Sequence, residues 1–336
     1  MGILFAGGED ICFTTLGSTS VDTATTAARR TGFARCTLLV GANGIPAATD
    51  GWIGALSAAS SAFWLSARAY LLTTSATAGH RVIRFLDGAV SRLELRVSSG
   101  LTFALYKVNA AGTATLLGTA SAALNGNTLT KIDIQVNYGT SGSVKIYYGG
   151  TLVLDTGTVD VTTDSATTLS GVVFGAKHQS SNTTGIHWSE PIVHTDDTRS
   201  MTLATMEPSA NGNAFTFDSG SYTDVNETTN SDATIISSAT ANQVAQFAVT
   251  NTRITGNPSV KGLAVWARAQ RGGTGPQNMQ IGVRTASTDH WSANKSLVAS
   301  MQPVVNNFDV NPGTSGAWGY TDLTAAGFNV GVKSIT

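Results

Sequence analysis

The chain has 336 residues, of which 42% are hydrophobic and only 12% charged, with a net charge of −1. That length exceeds what one hydrophobic core usually supports, so two domains are expected, each able to bury a core without a metal or disulfide staple. No basic run is longer than Arg29 and Arg30 and no apolar run approaches the roughly 20 residues needed to span a bilayer, which argues against a nucleic-acid partner and against membrane insertion.

Abundant Thr, Ser, Ala and Gly, with few Leu, Glu, Lys and Arg, suit strands and hairpins better than amphipathic helices, so the chain reads as all-β. Residues 1–10 lack the basic flank and apolar core of a signal peptide, so cytoplasmic synthesis is expected. The acceptor triplets at Asn182, Asn226 and Asn294 then carry little weight, since they matter in secreted chains. Cys12 and Cys36 are too few for a disulfide framework. Two buried thiols fit cytoplasmic synthesis, and a bridge between them is the alternative after release into an oxidising medium.

In chain order, short β-rich segments occur at 63–65, 81–86, 93–97 and 101–108, separated by Gly, Ser or Asp. The clearest signal follows. Ile132, Ile134 and Val136 alternate with Lys131, Asp133 and Gln135, a glycine-containing turn spans 138–143, and Val144, Ile146 and Tyr148 alternate with Lys145 and Tyr147. Gly149 and Gly150 suit a type I′ hairpin, and Leu152 and Leu154 resume the inward pattern, giving a three-stranded meander. Segments 169–174 and 186–193 complete about ten strands, too many for one sheet, so two packed sheets are expected.

A polar stretch at 194–200 marks the domain boundary, giving domains 1–196 and 197–336. Beyond it, strands are expected at 201–206, 214–217, 234–236, 243–249, 260–269, 280–284 and 297–301, with a glycine-rich tip at 272–276. Thr321 is expected to cap one helical turn that Gly327 ends.

No catalytic or metal-binding constellation is recognisable. His187, Glu190 and His194 lie in a strand-like context that Pro191 interrupts, and the parity of the two histidines sends them to opposite faces of a regular strand. Glu94, Asp133 and Asp155 read as solvated carboxylates, with Asp133 on the polar side of its strand and no partner placed for glycoside hydrolysis. No nucleophile elbow occurs, and the glycines at 256–262 lack the Lys-Ser/Thr order of a phosphate loop. No cofactor is implied. Aromatics are the remaining lead: Tyr147, on the outward side of the meander, and Trp291, in a polar segment, are the candidate glycan or interface contacts. Trp64, Trp188 and Trp266 lie in apolar strand patterns and read as core.

The segments "AFWLSARAYLL", "RVIRFLDGAVSRLELRV", "LTFALYKVNAAGTATLLGTAS" and "LTKIDIQVNYGTSGSVKIYYGGTLVLDTGTVD" resemble the concanavalin A-like jelly roll of tailed-bacteriophage virion proteins. "MEPSANGNAFTFDSGSYTDVNE" and "NPGTSGAWGYTDLTAAGFNVGVKS" are similar to the second half and tail of the same proteins. The resemblance runs from about Ala62 to Lys333. It implies a jelly-roll sandwich followed by a smaller β-sandwich, and a virion structural protein, tail-associated or decorating the capsid. Its implied partners are other virion proteins, further copies of itself and host surface glycan. The Glu-x-Asp-x-x-Glu pattern of related glucanases and the acidic metal cluster of legume lectins are both missing, so no enzyme activity is expected. A carbohydrate-binding adsorption module is the alternative reading, and a polysaccharide depolymerase a more distant one.

Overall fold

A computed structural model describes residues 2–8, 12–16, 19–22, 37–40, 51–71, 80–98, 100–175, 186–226, 231–250, 254 and 256–336. Cys36, and with it the question of a Cys12 bridge, lies outside these residues, as does Asn182. The chain divides into two compact units, Leu4–Leu203 and Ala204–Thr336 with Met1–Ile3.

The first unit is a β-sandwich of the jelly-roll class. Its strands are β1 (Ile3–Ala6), β2 (Thr14–Leu16), β3 (Thr19–Asp22), β4 (Thr37–Val40), β5 (Gly51–Ser60), β6 (Ala62–Leu71), β7 (His80–Asp87) and β8 (Val90–Val97). They continue with β9 (Thr102–Val108), β10 (Ala114–Ala123), β11 (Leu129–Asn137), β12 (Ser143–Tyr148), β13 (Thr151–Asp155), β14 (Leu169–Phe174) and β15 (Ile186–His194). One sheet runs β13-β12-β11-β6-β15-β4-β3, with β1 also on β15, and the other β10-β9-β8-β7-β14-β5-β2.

Alternation explains the packing. Ile132, Ile134 and Val136 of β11, with Val144 and Ile146 of β12, are buried between the sheets against Leu93, Leu95, Phe103 and Leu105. Ring pairs Phe63–Phe85, Phe103–Tyr148 and Phe174–Trp188, with centroids 5.6–5.9 Å apart, tie one sheet to the other. Gly149 and Gly150 have φ of 55° and 89°, the left-handed pair that a type I′ turn requires. The meander over Lys131–Asp155 has the register that the sequence implied, with Ile134 opposite Ile146. Strand β10 was not anticipated, because Ala114–Ala123 is mostly small residues without alternation.

The second unit holds β16 (Glu207–Phe215), β17 (Val244–Thr250), β18 (Leu263–Ala269), β19 (Asn278–Thr285), β20 (Thr288–Trp291), β21 (Lys295–Ser296), β22 (Gln302–Phe308) and β23 (Asn329–Ile335). One sheet runs β16-β17-β23-β19-β20, with β21 also on β19, and β18 and β22 form a separate pair. Val265, Met279, Ile281 and Val283 pack with Trp318, Leu323 and Phe328 as a core between them. Trp318 and Leu323 lie at the short helix α1 (Tyr320–Thr324) that the sequence placed here. Its N-cap is Gly319, whose N–H donates to Asp322, and not Thr321.

Three expected strands are corrected. Residues 201–206 form no strand, and the Met201 carbonyl accepts from a lysine described below. Residues 234–236 form no strand; the isolated bridge next to them joins Ser237 to Ser219. Residues 297–301 connect β21 to β22.

Candidate functional site

Two sheet faces carry the chain's concentrated polar and aromatic chemistry, one in each unit. In the first unit it is the face of β6, β11, β12 and β15 turned away from the core. Register places Ser66 opposite Asp133, Arg68 opposite Lys131, and Asp133 opposite Tyr147. On a regular strand His187 and His194 would point apart. Instead Ser189 faces Arg68 and Ile192 faces Ser66, so one extra residue is accommodated as a bulge, with Glu190 at φ 54°. The bulge resets parity, and both histidines are buried on this same face, opposite Tyr70 and Trp64. The sequence expectation of opposite faces is corrected by that one inserted residue.

This face is closed over. Residues 195–201 fold back across it, and Lys131 Nζ donates to the backbone carbonyls of Thr198 (2.9 Å), Arg199 (2.8 Å) and Met201 (3.0 Å). Thr198 Oγ1 donates to Asp133 Oδ1 at 3.0 Å. Asp133, expected among the solvated carboxylates, is therefore 0% exposed, and Lys131 Nζ lies 3.5 Å from it. Tyr147, expected to face outward, is 8% exposed: it stacks on Trp64 at 5.7 Å and 27°. The Arg199 guanidinium lies over both rings, 4.7 Å from Tyr147 and 5.2 Å from Trp64, where a sugar would otherwise stack. Asp197 holds Arg199 through two nitrogens at 2.6–3.0 Å, and that contact draws the Asp197 carboxyl below the ordinary carboxylate range.

The other carboxylates of this unit that drew attention are engaged too. Glu190 pairs with Arg68 at 3.2 Å. Glu94, expected to be solvated, is 2% exposed and held by Arg81 and Arg96 on the outer face of the second sheet. Asp155 is exposed beside Lys145. Among the described residues no group of three or more His, Cys, Asp or Glu side chains could hold a metal ion.

The second unit's face has a different character. Met279, Ile281 and Val283 point inward, so Gln280, Gly282 and Arg284 of β19 point out. On β23, Lys333, Gly331 and Asn329 lie opposite them, and on β20 Trp291 lies opposite Gly282 and Asp289 opposite Arg284. Two glycines thus sit side by side at the centre of the face. A Cβ on Gly282 would collide with Cε3 and Cζ3 of the Trp291 ring, so the indole packs directly against the strand at that point. One flank is filled: Arg284 Nη1 (2.6 Å) and Gln246 Nε2 (2.8 Å) both donate to Asp289 Oδ1. Strands β17 and β20 are separated by β23 and β19, so the Gln246–Asp289 bond shows the sheet curling toward this face. The other flank is open. Gln280 Nε2 donates to the exposed Asn294 Oδ1 at 3.0 Å, and Lys333 stands directly across from Gln280.

Of the two aromatic candidates, Tyr147 is sealed beneath Arg199 and Trp291 is half-buried at an open polar edge. Trp188 is core and Trp64 is buried on the polar face, whereas Trp266, expected in the core, is half-buried because its neighbour Val265 takes the inward position. Gln280 and Lys333 were not singled out, and Asn294 was noted only as an acceptor triplet. The alternation of 278–285 was a usable signal for the first, but the pairing of β19 with β23 has no local signature.

No protein-family model matches the chain, and no curated protein matches it significantly. Solved structures do. Cellulose induced protein Cip1 matches at 15% identity and a TM-score of 0.40, over 54% of this chain and 86% of its own. The PL-14 alginate lyase from Aplysia kurodai matches at 14% and 0.40 (57% and 97%), and the carbohydrate-binding module CBM66 from Bacillus subtilis at 13% and 0.34 (54% and 94%). The likeness is one of all-β architecture, and no residue role passes across it.

Proposed function

We propose that this chain is a non-enzymatic virion surface protein of a tailed bacteriophage that adsorbs to host glycan through its second unit. The observation that carries the glycan part is Trp291 packed against Gly282 beside an edge of amide side chains. An indole held in place against a sheet offers apolar surface at little entropic cost, and a pyranose ring, apolar on its axial C–H face and polar at its rim, suits that surface and its amide border. The virion part is supported by the ordered resemblance of segments in both halves of the chain to phage structural proteins. A sparsely charged, hydroxyl-rich surface also suits repeated packing on a particle.

The test is a glycan array probed with the wild-type chain and with Trp291→Ala. The variant is expected to lose about tenfold or more in affinity for whatever glycan the wild type binds. Its thermal unfolding should change little, because the indole sits on the outer face and not in the core. Retained binding by the variant would remove Trp291 as the platform. Particles from a producing strain should carry the chain in an averaged electron-microscopy map.

A further inference from the structure

We infer that the Trp291 site takes an acidic sugar, with the carboxylate seated on Lys333. This deepens the reading just given and rests on it. The sheet presents its charges in two sets. Arg284 is neutralised by Asp289 at 2.6 Å, and Gln246 adds a further donor to the same oxygen, so that flank offers a ligand little net charge. Across the glycine pair, Lys333 is half-buried between Val244 and Gln280 in the register of the sheet. Among the described residues no carboxylate pairs with it.

Gly331 and Gly282 lie two positions along their strands from Lys333 and Gln280, on the same face, so Lys333 stands one cross-strand diagonal from Gly282, where the Trp291 ring packs against β19. A pyranose is about as wide as that diagonal, ~5–8 Å. A ring stacked on Trp291 therefore brings an exocyclic carboxylate to Lys333 while its hydroxyls meet the amides of Gln280 and Asn294. With Gln280 Nε2 given to Asn294 Oδ1, Gln280 Oε1 remains as an acceptor and Asn294 Nδ2 as a donor, the pair a vicinal diol needs. A neutral sugar would leave Lys333 without a counter-charge in a half-desolvated position, whereas a uronic acid supplies a charge-assisted hydrogen bond.

The test uses the whole chain and two matched probes: a glucuronate-containing oligosaccharide and the same oligosaccharide with its carboxyl groups reduced to hydroxymethyl. Titration calorimetry is expected to give about five- to tenfold tighter binding of the acidic form by the wild type. That preference should disappear in Lys333→Met while the reduced form binds both proteins equally. Equal affinity of the wild type for the two probes overturns the acidic-sugar inference and leaves the glycan reading standing. Binding of neither probe, together with a blank array, overturns the glycan reading itself. Because the decisive comparison uses wild-type protein, a misfolded variant cannot obscure it.

Discussion

At the residue scale, the instructive groups are those whose environment the local pattern misjudged. Alternation put Asp133 and Tyr147 on the polar side of the meander, and they are there, but that side is covered by a segment more than fifty positions later in the chain. Nothing within a strand announces that its polar face will be lidded. Arg199 and Asp197 hold the lid, and their exposed pair is itself worth little in water; its effect comes from fixing a cation over two rings. The Asp197 carboxyl titrates below its ordinary value because Arg199 stabilises the charged form. Its folded pKa is thus depressed, so the associated stabilisation is present above the unfolded carboxylate value of about 3.9 and is lost as pH falls through the lower folded value. Tryptophan and tyrosine emission from the first unit should therefore stay constant from neutral pH down to about 4 and change only below it. Asp197→Asn should show the acid-form emission already at neutral pH.

At the element scale, regular strands were legible and irregular ones were not. The meander over 131–155 could be read residue by residue, because two glycines fix the turn and the apolar positions fix the register. The bulge at Glu190 could not, since one inserted residue has no composition of its own. His187 and His194, an odd number of positions apart, therefore ended up on one face. The close approach of Trp291 and Gln246 to the second unit's sheet arises from the pairing of Gly331 with Gly282, contributed by strands far apart in the chain. Its consequence is testable. Gly282→Ala is expected to push Trp291 off the strand, costing about 1–3 kcal/mol and weakening glycan binding together with it. Lifting of the indole should appear as a red shift in tryptophan emission. The same change at Gly149, which meets open space but holds φ 55°, should cost stability in the first unit and leave binding untouched.

At the scale of the whole molecule, the composition was the better guide. Low charge and high hydroxyl content announced an all-β chain, length announced two cores, and each unit does bury its own. Separate cores are expected to unfold separately, so differential scanning calorimetry should resolve two endotherms, with only the larger one altered by Asp197→Asn. The lysine that caps three carbonyls has a mechanical meaning as well. Tension entering the chain from residue 204 onward reaches Met201, Arg199 and Thr198 before it reaches β15. It is met by Lys131, whose strand β11 is flanked on both sides by hydrogen-bonded neighbours, so the load passes to the interior of a sheet. A strand held on both sides must break hydrogen bonds to two neighbours before it leaves its sheet, so under the proposed grip on a glycan the pull on the chain would be met at this mooring.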